Sequence, residues 1–142
     1  RRNYHGSSLL LPDGRILTAG GDVWNAEIFY PPYLFTKNID NQTVLAERPK
    51  IVSLKSNIIR GEKISIEVDG EVSKVSLIST GSSTHAQGSE SKFRDIDFTS
   101  VSTSNIEIRL DTNPNNIQNG TYLLFVLNSS GTPSEGKIVF VN

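Results

Sequence analysis

Gly120-Thr121-Tyr122-Leu123-Leu124-Phe125-Val126-Leu127 is the stretch on which the fold turns. From Tyr122 onward it is apolar throughout, as a central strand covered on both faces would be. Gly120-Thr121-Tyr122 adds a finer signal. A tyrosine at the start of the sixth strand of an antiparallel sandwich stands at the tyrosine corner, where its hydroxyl reaches back to nearby backbone. A plain core tyrosine is the other reading; in both, Tyr122 is structural and not a ligand. Short alternating segments separated by turn residues lie outward from this strand. Ile64, Ile66 and Val68 alternate with Ser65 and Glu67, Val75 and Leu77 flank Ser76, and Ile96 and Phe98 flank Asp97. Ile106, Ile108 and Leu110 flank Glu107 and Arg109, Lys50-Ile51-Val52-Ser53-Leu54 comes before them, and residues 138–141 close the chain. Period-two alternation puts one face in a core and the other in water. About seven such strands at regular spacing predict an all-β, antiparallel, immunoglobulin-like sandwich over residues 49–142.

Composition bounds this reading. At 142 residues, with 36% hydrophobic residues and a formal net charge of −1, the chain has the make-up of a globular protein large enough for its own core. That charge points to neither a nucleic acid nor an anionic membrane as partner. No apolar run is long enough to span a bilayer, and no signal-peptide pattern occurs. The chain starts at Arg1 and contains no methionine, which reads as a piece of a longer protein. Zero cysteines exclude disulfides and thiolate metal sites within it.

The N-terminal stretch is organised differently. Asn3-Tyr4-His5-Gly6-Ser7-Ser8-Leu9-Leu10-Leu11-Pro12-Asp13-Gly14-Arg15 carries one of two histidines beside a tyrosine. Imidazole nitrogen with phenolate oxygen suits copper or iron better than magnesium or calcium. The other reading of the pair is a surface histidine and a packed tyrosine at a strand entry. Pro12-Asp13-Gly14 is a turn in which proline presets φ and glycine supplies positive φ. With Ile16-Leu17-Thr18-Ala19 beyond it, the stretch predicts a hairpin. Residues 36–48 are polar and without periodicity, which reads as a linker.

These landmarks resemble the galactose oxidase and glyoxal oxidase family. Tyr4-His5, Leu9-Leu10-Leu11-Pro12-Asp13-Gly14-Arg15 and Gly20-Gly21 look like that family's copper-site blade. Ala26-Glu27-Ile28-Phe29, Pro31-Pro32-Tyr33-Leu34-Phe35 and Arg48-Pro49 extend the match. Thr84-His85, residues 120–126 and Pro133-Ser134 carry it to the end of the chain. The resemblance implies that residues 1–35 are an incomplete kelch-type propeller blade, with Trp24 packing in it, and that residues 49–142 are the family's C-terminal sandwich of the E-set, or fibronectin-like, kind. It also implies an activity, oxidation of an alcohol or aldehyde with reduction of O2 to hydrogen peroxide.

By resemblance, Tyr4 takes the place of the axial tyrosine on copper, His5 one equatorial histidine and His85 the other. Neutral imidazoles keep a copper site electrophilic. A weakly held axial phenolate can take the alcohol proton as general base, which makes Tyr4 the expected catalytic residue. Adjacent strand residues point to opposite faces, so Tyr4 and His5 can share one metal only if the backbone bends there. His85 lies in a long, small, polar loop after the third sandwich strand; a solvated loop histidine is the alternative.

The family's radical cofactor, a tyrosine crosslinked to a cysteine, would lie outside this chain. The fragment is therefore expected to be inactive alone, with the rest of the propeller as its partner in a secreted, monomeric parent. Two departures stand out. Gly6 replaces the family's serine after Tyr-His, and Glu90-Ser91-Lys92-Phe93-Arg94 replaces its Asp-Gln-Arg; both changes spare the expected ligands. Three Asn-x-Ser/Thr triplets, at Asn41, Asn119 and Asn128, are compatible with secretion. A reading from another class remains open, a non-catalytic sandwich module that packs on a propeller or binds a cell-surface glycan.

Overall fold

The computed structural model describes residues 5–22, 24–80 and 91–142. All its regular elements are strands apart from one short 3-10 turn, Pro32–Leu34. The core is a two-sheet sandwich. One sheet orders β10 (Phe93–Ile96), β9 (Lys74–Ser79), β13 (Gly120–Leu127), β14 (Lys137–Val141) and β7 (Asn57–Ile58); the other orders β11 (Phe98–Ser102), β12 (Asn105–Arg109), β8 (Lys63–Asp69) and β6 (Lys50–Leu54). Every pairing is antiparallel except β14 with β7. Alternation does what it predicts. In β8, Ile64, Ile66 and Val68 are buried while Lys63, Ser65, Glu67 and Asp69 are exposed. They meet Val75, Leu77, Leu124, Val126, Val139 and Val141 from the opposite sheet in one cluster.

β13 is the central strand, with β9 and β14 on either side. Tyr122, Leu124 and Val126 face the core cluster. Leu123 and Phe125 are buried on the other face, outside that cluster. The Tyr122 hydroxyl donates to the carbonyl oxygen of Gln118, four residues back, at 2.8 Å. This is the geometry of a tyrosine corner.

Two readings change. Ile96 and Phe98 look like one strand, yet the chain leaves the first sheet after Ile96 and joins the second at Phe98, with Asp97 between. Both flanking side chains go to the core because each sheet turns its inner face to the other. In the polar stretch at 36–48, β4 (Phe35–Lys37) and β5 (Thr43–Leu45) form a hairpin. Asn38 builds its turn, its Oδ1 accepting the N–H groups of Asp40 and Gln42 at 3.1 and 2.8 Å. Such asparagine-driven turns leave no trace in hydrophobic periodicity.

The N-terminal unit is a three-stranded antiparallel sheet of β1 (Gly6–Leu10), β2 (Ile16–Gly20) and β3 (Glu27–Phe29). The Pro-Asp-Gly turn forms as predicted, with the Gly14 N–H donating to Leu11 at 2.9 Å and Gly14 at φ +84. Trp24 is fully exposed, so the packing read for it is not made by this chain.

Arg48 joins this unit to the sandwich. Its guanidinium donates to the carbonyl oxygens of Asp13 (2.9 Å), Pro133 (2.7 Å) and Ser134 (2.6 Å). Beside it, the Gly136 N–H donates to Pro12 at 2.7 Å. A side chain at Gly136 would stand 2.6 Å from the Phe125 ring, so glycine lets the backbone pass this close to that ring.

Candidate metal centre

The expected copper ligands fall unevenly on the structure. Tyr4 and His85 lie outside the described residues, and His5 lies within them. His5 directly precedes β1, is exposed, and has φ +63. Left-handed backbone is uncommon at a residue with a Cβ. It puts a bend at the position where two neighbouring side chains would have to turn toward one ligand.

That bend has neighbours that hold it. The His5 carbonyl oxygen accepts the Gly21 N–H at 2.9 Å. Gly6 pairs with Gly20 in the first register of β1 with β2. A Cβ on Gly20 would meet the His5 carbonyl oxygen at 2.5 Å, and Gly20 and Gly21 both have positive φ. His5 is thus set at one end of β1, with the Pro-Asp-Gly turn at the other.

His85 falls between β9 and β10. These strands are antiparallel neighbours, closed at their base by the Ser79 N–H donating to Lys92 O at 2.9 Å and the Lys92 N–H donating to Ser79 Oγ at 2.7 Å. Leu10 of β1, with Ile78 and Phe93 near that base, lines one apolar recess that also touches Phe125 and Tyr33. The turn end of β1 and the facing ends of β9 and β10 therefore share a wall.

The turn end of β1 is electrostatically fixed. The Arg15 side chain donates to Asp13 Oδ2 at 2.7 Å and its N–H to Oδ1 at 2.9 Å, which holds the Asp13 carboxyl below its usual range and the Arg15 guanidinium above its own. The Arg15 guanidinium also lies over the Tyr30 ring, 5.3 Å from its centroid. The Tyr33 hydroxyl donates to the Gly14 carbonyl, and burial pushes its pKa up.

Among the described residues, no three His, Cys, Asp or Glu side chains cluster as a metal site. His5 alone of the expected donor set can be compared with a copper site here. Imidazole is a suitable copper donor, and the exposure and bend at His5 are compatible with a ligand shared with other segments. Sequence reasoning missed Arg48 as the joint between the units, since its partners are main-chain carbonyls that no motif announces.

An immunoglobulin-like sandwich with a small β-sheet latched to one of its sheets defines the class: an all-β Early set domain with an N-terminal extension. Residues 48–141 match the family model described as "Galactose oxidase-like, Early set domain", and the chain belongs to that family. It is 33% identical over 149 residues to a galactose oxidase of Gibberella zeae, covering 99% of this chain and 21% of that protein. It is 30% identical over 149 residues to a WSC domain-containing protein of Arthroderma benhamiae, covering 97% of this chain and 15% of that one. A solved structure described as a "novel fungal alcohol oxidase with catalytic diversity among the AA5 family, in complex with copper" superposes with a TM-score of 0.86 at 25% identity, over 99% of this chain and 31% of that chain. The chain thus spans about a fifth of the galactose oxidase it matches. No helix of the described residues is long and apolar enough to cross a membrane.

Proposed function

We propose that this chain is the C-terminal part of a copper radical oxidase that converts an alcohol or aldehyde with O2 to the oxidised product and hydrogen peroxide. What supports this most is likeness over 99% of the chain to both a galactose oxidase and a copper-bound alcohol oxidase. In this reading residues 1–35 belong to a kelch-type propeller blade, 36–48 connect, and 49–142 are the sandwich. The parent is a secreted monomer, and the rest of its propeller is this chain's partner.

Tyr4, His5 and His85 would hold the copper. When bound, copper supplies one-electron redox chemistry and an electrophilic open position for the substrate oxygen. The chain's own residues do the remaining work assigned to them. The two imidazoles bind as neutral donors, and the Tyr4 phenolate oxygen receives the substrate's hydroxyl proton. The left-handed backbone at His5 supports the bend that a metal shared with its neighbour Tyr4 would need. The crosslinked tyrosine–cysteine radical would come from elsewhere in the parent, so this chain alone is inactive.

The test is replacement of His85 and of His5 by alanine in the parent. Each variant should lose turnover and retain the fold. Wild-type turnover with both histidines replaced would overturn the copper-site reading and leave the chain as a non-catalytic module.

A further inference from the structure

We propose that Gly20 and Gly21 are positioning residues for His5, a two-glycine clamp that sets the backbone of a metal-binding histidine. The inference rests on His5 being a copper ligand, and the observations behind the clamp stand apart from that reading. His5 is one of two non-glycine residues with positive φ among the described residues. A non-glycine residue keeps such a conformation only when its surroundings impose it. Here they include one bond and one close approach. The Gly21 N–H donates to the His5 carbonyl at 2.9 Å, which fixes the orientation of the peptide plane after His5. The Gly20 Cα sits where any Cβ would fall 2.5 Å from that oxygen, so a side chain at position 20 and the bond at position 21 cannot coexist without movement. Gly20 at φ +78 and Gly21 at φ +72 provide the turn that aims the N–H.

Gly6 completes the arrangement. It pairs with Gly20, and its Cα would lie 3.7 Å from the same Cβ. Three glycines therefore surround one histidine carbonyl, leaving the His5 side chain at the corner as the one with chemistry to offer. A methyl group at position 20 would push the His5 carbonyl away, release the Gly21 N–H and let His5 relax to extended backbone. In an extended strand its side chain would point to the face opposite Tyr4. The clamp thus acts on ligand direction, with the bond to the metal made by His5.

The experiment compares wild type with Gly20→Ala and Gly21→Ala in two settings. In the 142-residue chain, NMR reads the His5 amide–Hα coupling and the exchange rate of the Gly21 amide. Gly20→Ala should shift the coupling from its left-handed to its extended value and speed Gly21 exchange. Gly21→Ala, which keeps the N–H donor, should give a smaller shift in the same direction. An unchanged coupling in Gly20→Ala overturns the clamp, whatever the metal does.

In the protein that carries this chain, Cu(II) titration should show affinity lowered by about tenfold or more in Gly20→Ala. Its EPR spectrum should lose the hyperfine contribution of one imidazole, as in His5→Ala, with the sandwich's thermal midpoint little moved. Unchanged affinity and spectrum in Gly20→Ala, with both altered in His5→Ala, overturns the positioning role. An unaltered spectrum in His5→Ala overturns the copper reading on which the positioning role rests and leaves the coupling constant to judge the backbone clamp.

Discussion

The Arg48 guanidinium donates from Nη1 to the main-chain oxygen of Asp13 at 2.9 Å, across 35 positions of sequence. The same group also holds the carbonyls of Pro133 and Ser134, so one planar fork ties the β1–β2 turn to the sandwich. Lysine has a point charge and a tetrahedral head and cannot reproduce three donors in that plane. Arg48→Lys should therefore loosen the joint nearly as much as Arg48→Ala, with a loss of roughly 2–4 kcal/mol in unfolding free energy. Chemical denaturation measures the loss, and faster exchange of the Gly136 amide locates it. A lysine variant as stable as wild type would refute this account of the joint.

Tyr122→Phe removes one hydroxyl and leaves the ring in place. The donor bond to Gln118 goes with it. The expected cost is about 1 kcal/mol, the usual net value of such a bond. Thermal unfolding checks it, and a variant matching wild type would show that the corner adds nothing to stability.

The sandwich was legible because buried residues alternate with exposed ones in β8 and with half-buried or exposed ones in β12, and because β13 is apolar on both faces. The crossing at Asp97 was not, since Ile96 and Phe98 point to the core from two different sheets and give the same pattern as one continuous strand. The β4–β5 hairpin escaped because a side-chain amide makes its turn. Of the candidate site, the need for a bend beside Tyr4 could be deduced from strand geometry. The device that makes it, a glycine two strand residues past Thr18, could not, because closeness to His5 arises only from the register of β1 with β2.

Stability of the N-terminal turn should fall in acid. The Asp13 carboxyl is held below its ordinary value of 3.8 by bonds from Arg15, so the folded state favours the carboxylate. A depressed folded pKa gives stabilisation that is complete above the unfolded value and disappears as pH falls through the folded one. Amide protection at Leu11 and Gly14 should be pH-independent near neutrality and drop below about pH 4. In Asp13→Asn that drop should be absent. An equal acid response in the variant would assign the effect to another group.

The three glycosylation triplets differ in the folded chain. Asn41 is exposed at a left-handed position of the β4–β5 turn, with its backbone N–H on Asn38 O and its carbonyl on Lys37 Nζ. The Asn128 Oδ1 accepts the Thr132 N–H at 2.9 Å within a tight turn. Routed through a eukaryotic secretory pathway, the chain should carry glycan at Asn41 and little at Asn128. Peptide mapping after enzymatic deglycosylation reads both sites, and higher occupancy at Asn128 than at Asn41 would contradict the expectation.

The single residue between β10 and β11 also governs where this chain can change length. Asp97 is the whole of the connection between two sheets, so an added residue there would slide one sheet's register past the other and turn a core face to water. The turn at residues 38–42 joins two short strands whose side chains are exposed apart from the half-buried Phe35, and none of the turn residues is buried. Descendants of this sequence can therefore lengthen freely at the hairpin beside the joint, while the crossing at Asp97 keeps its length for as long as the sandwich lasts.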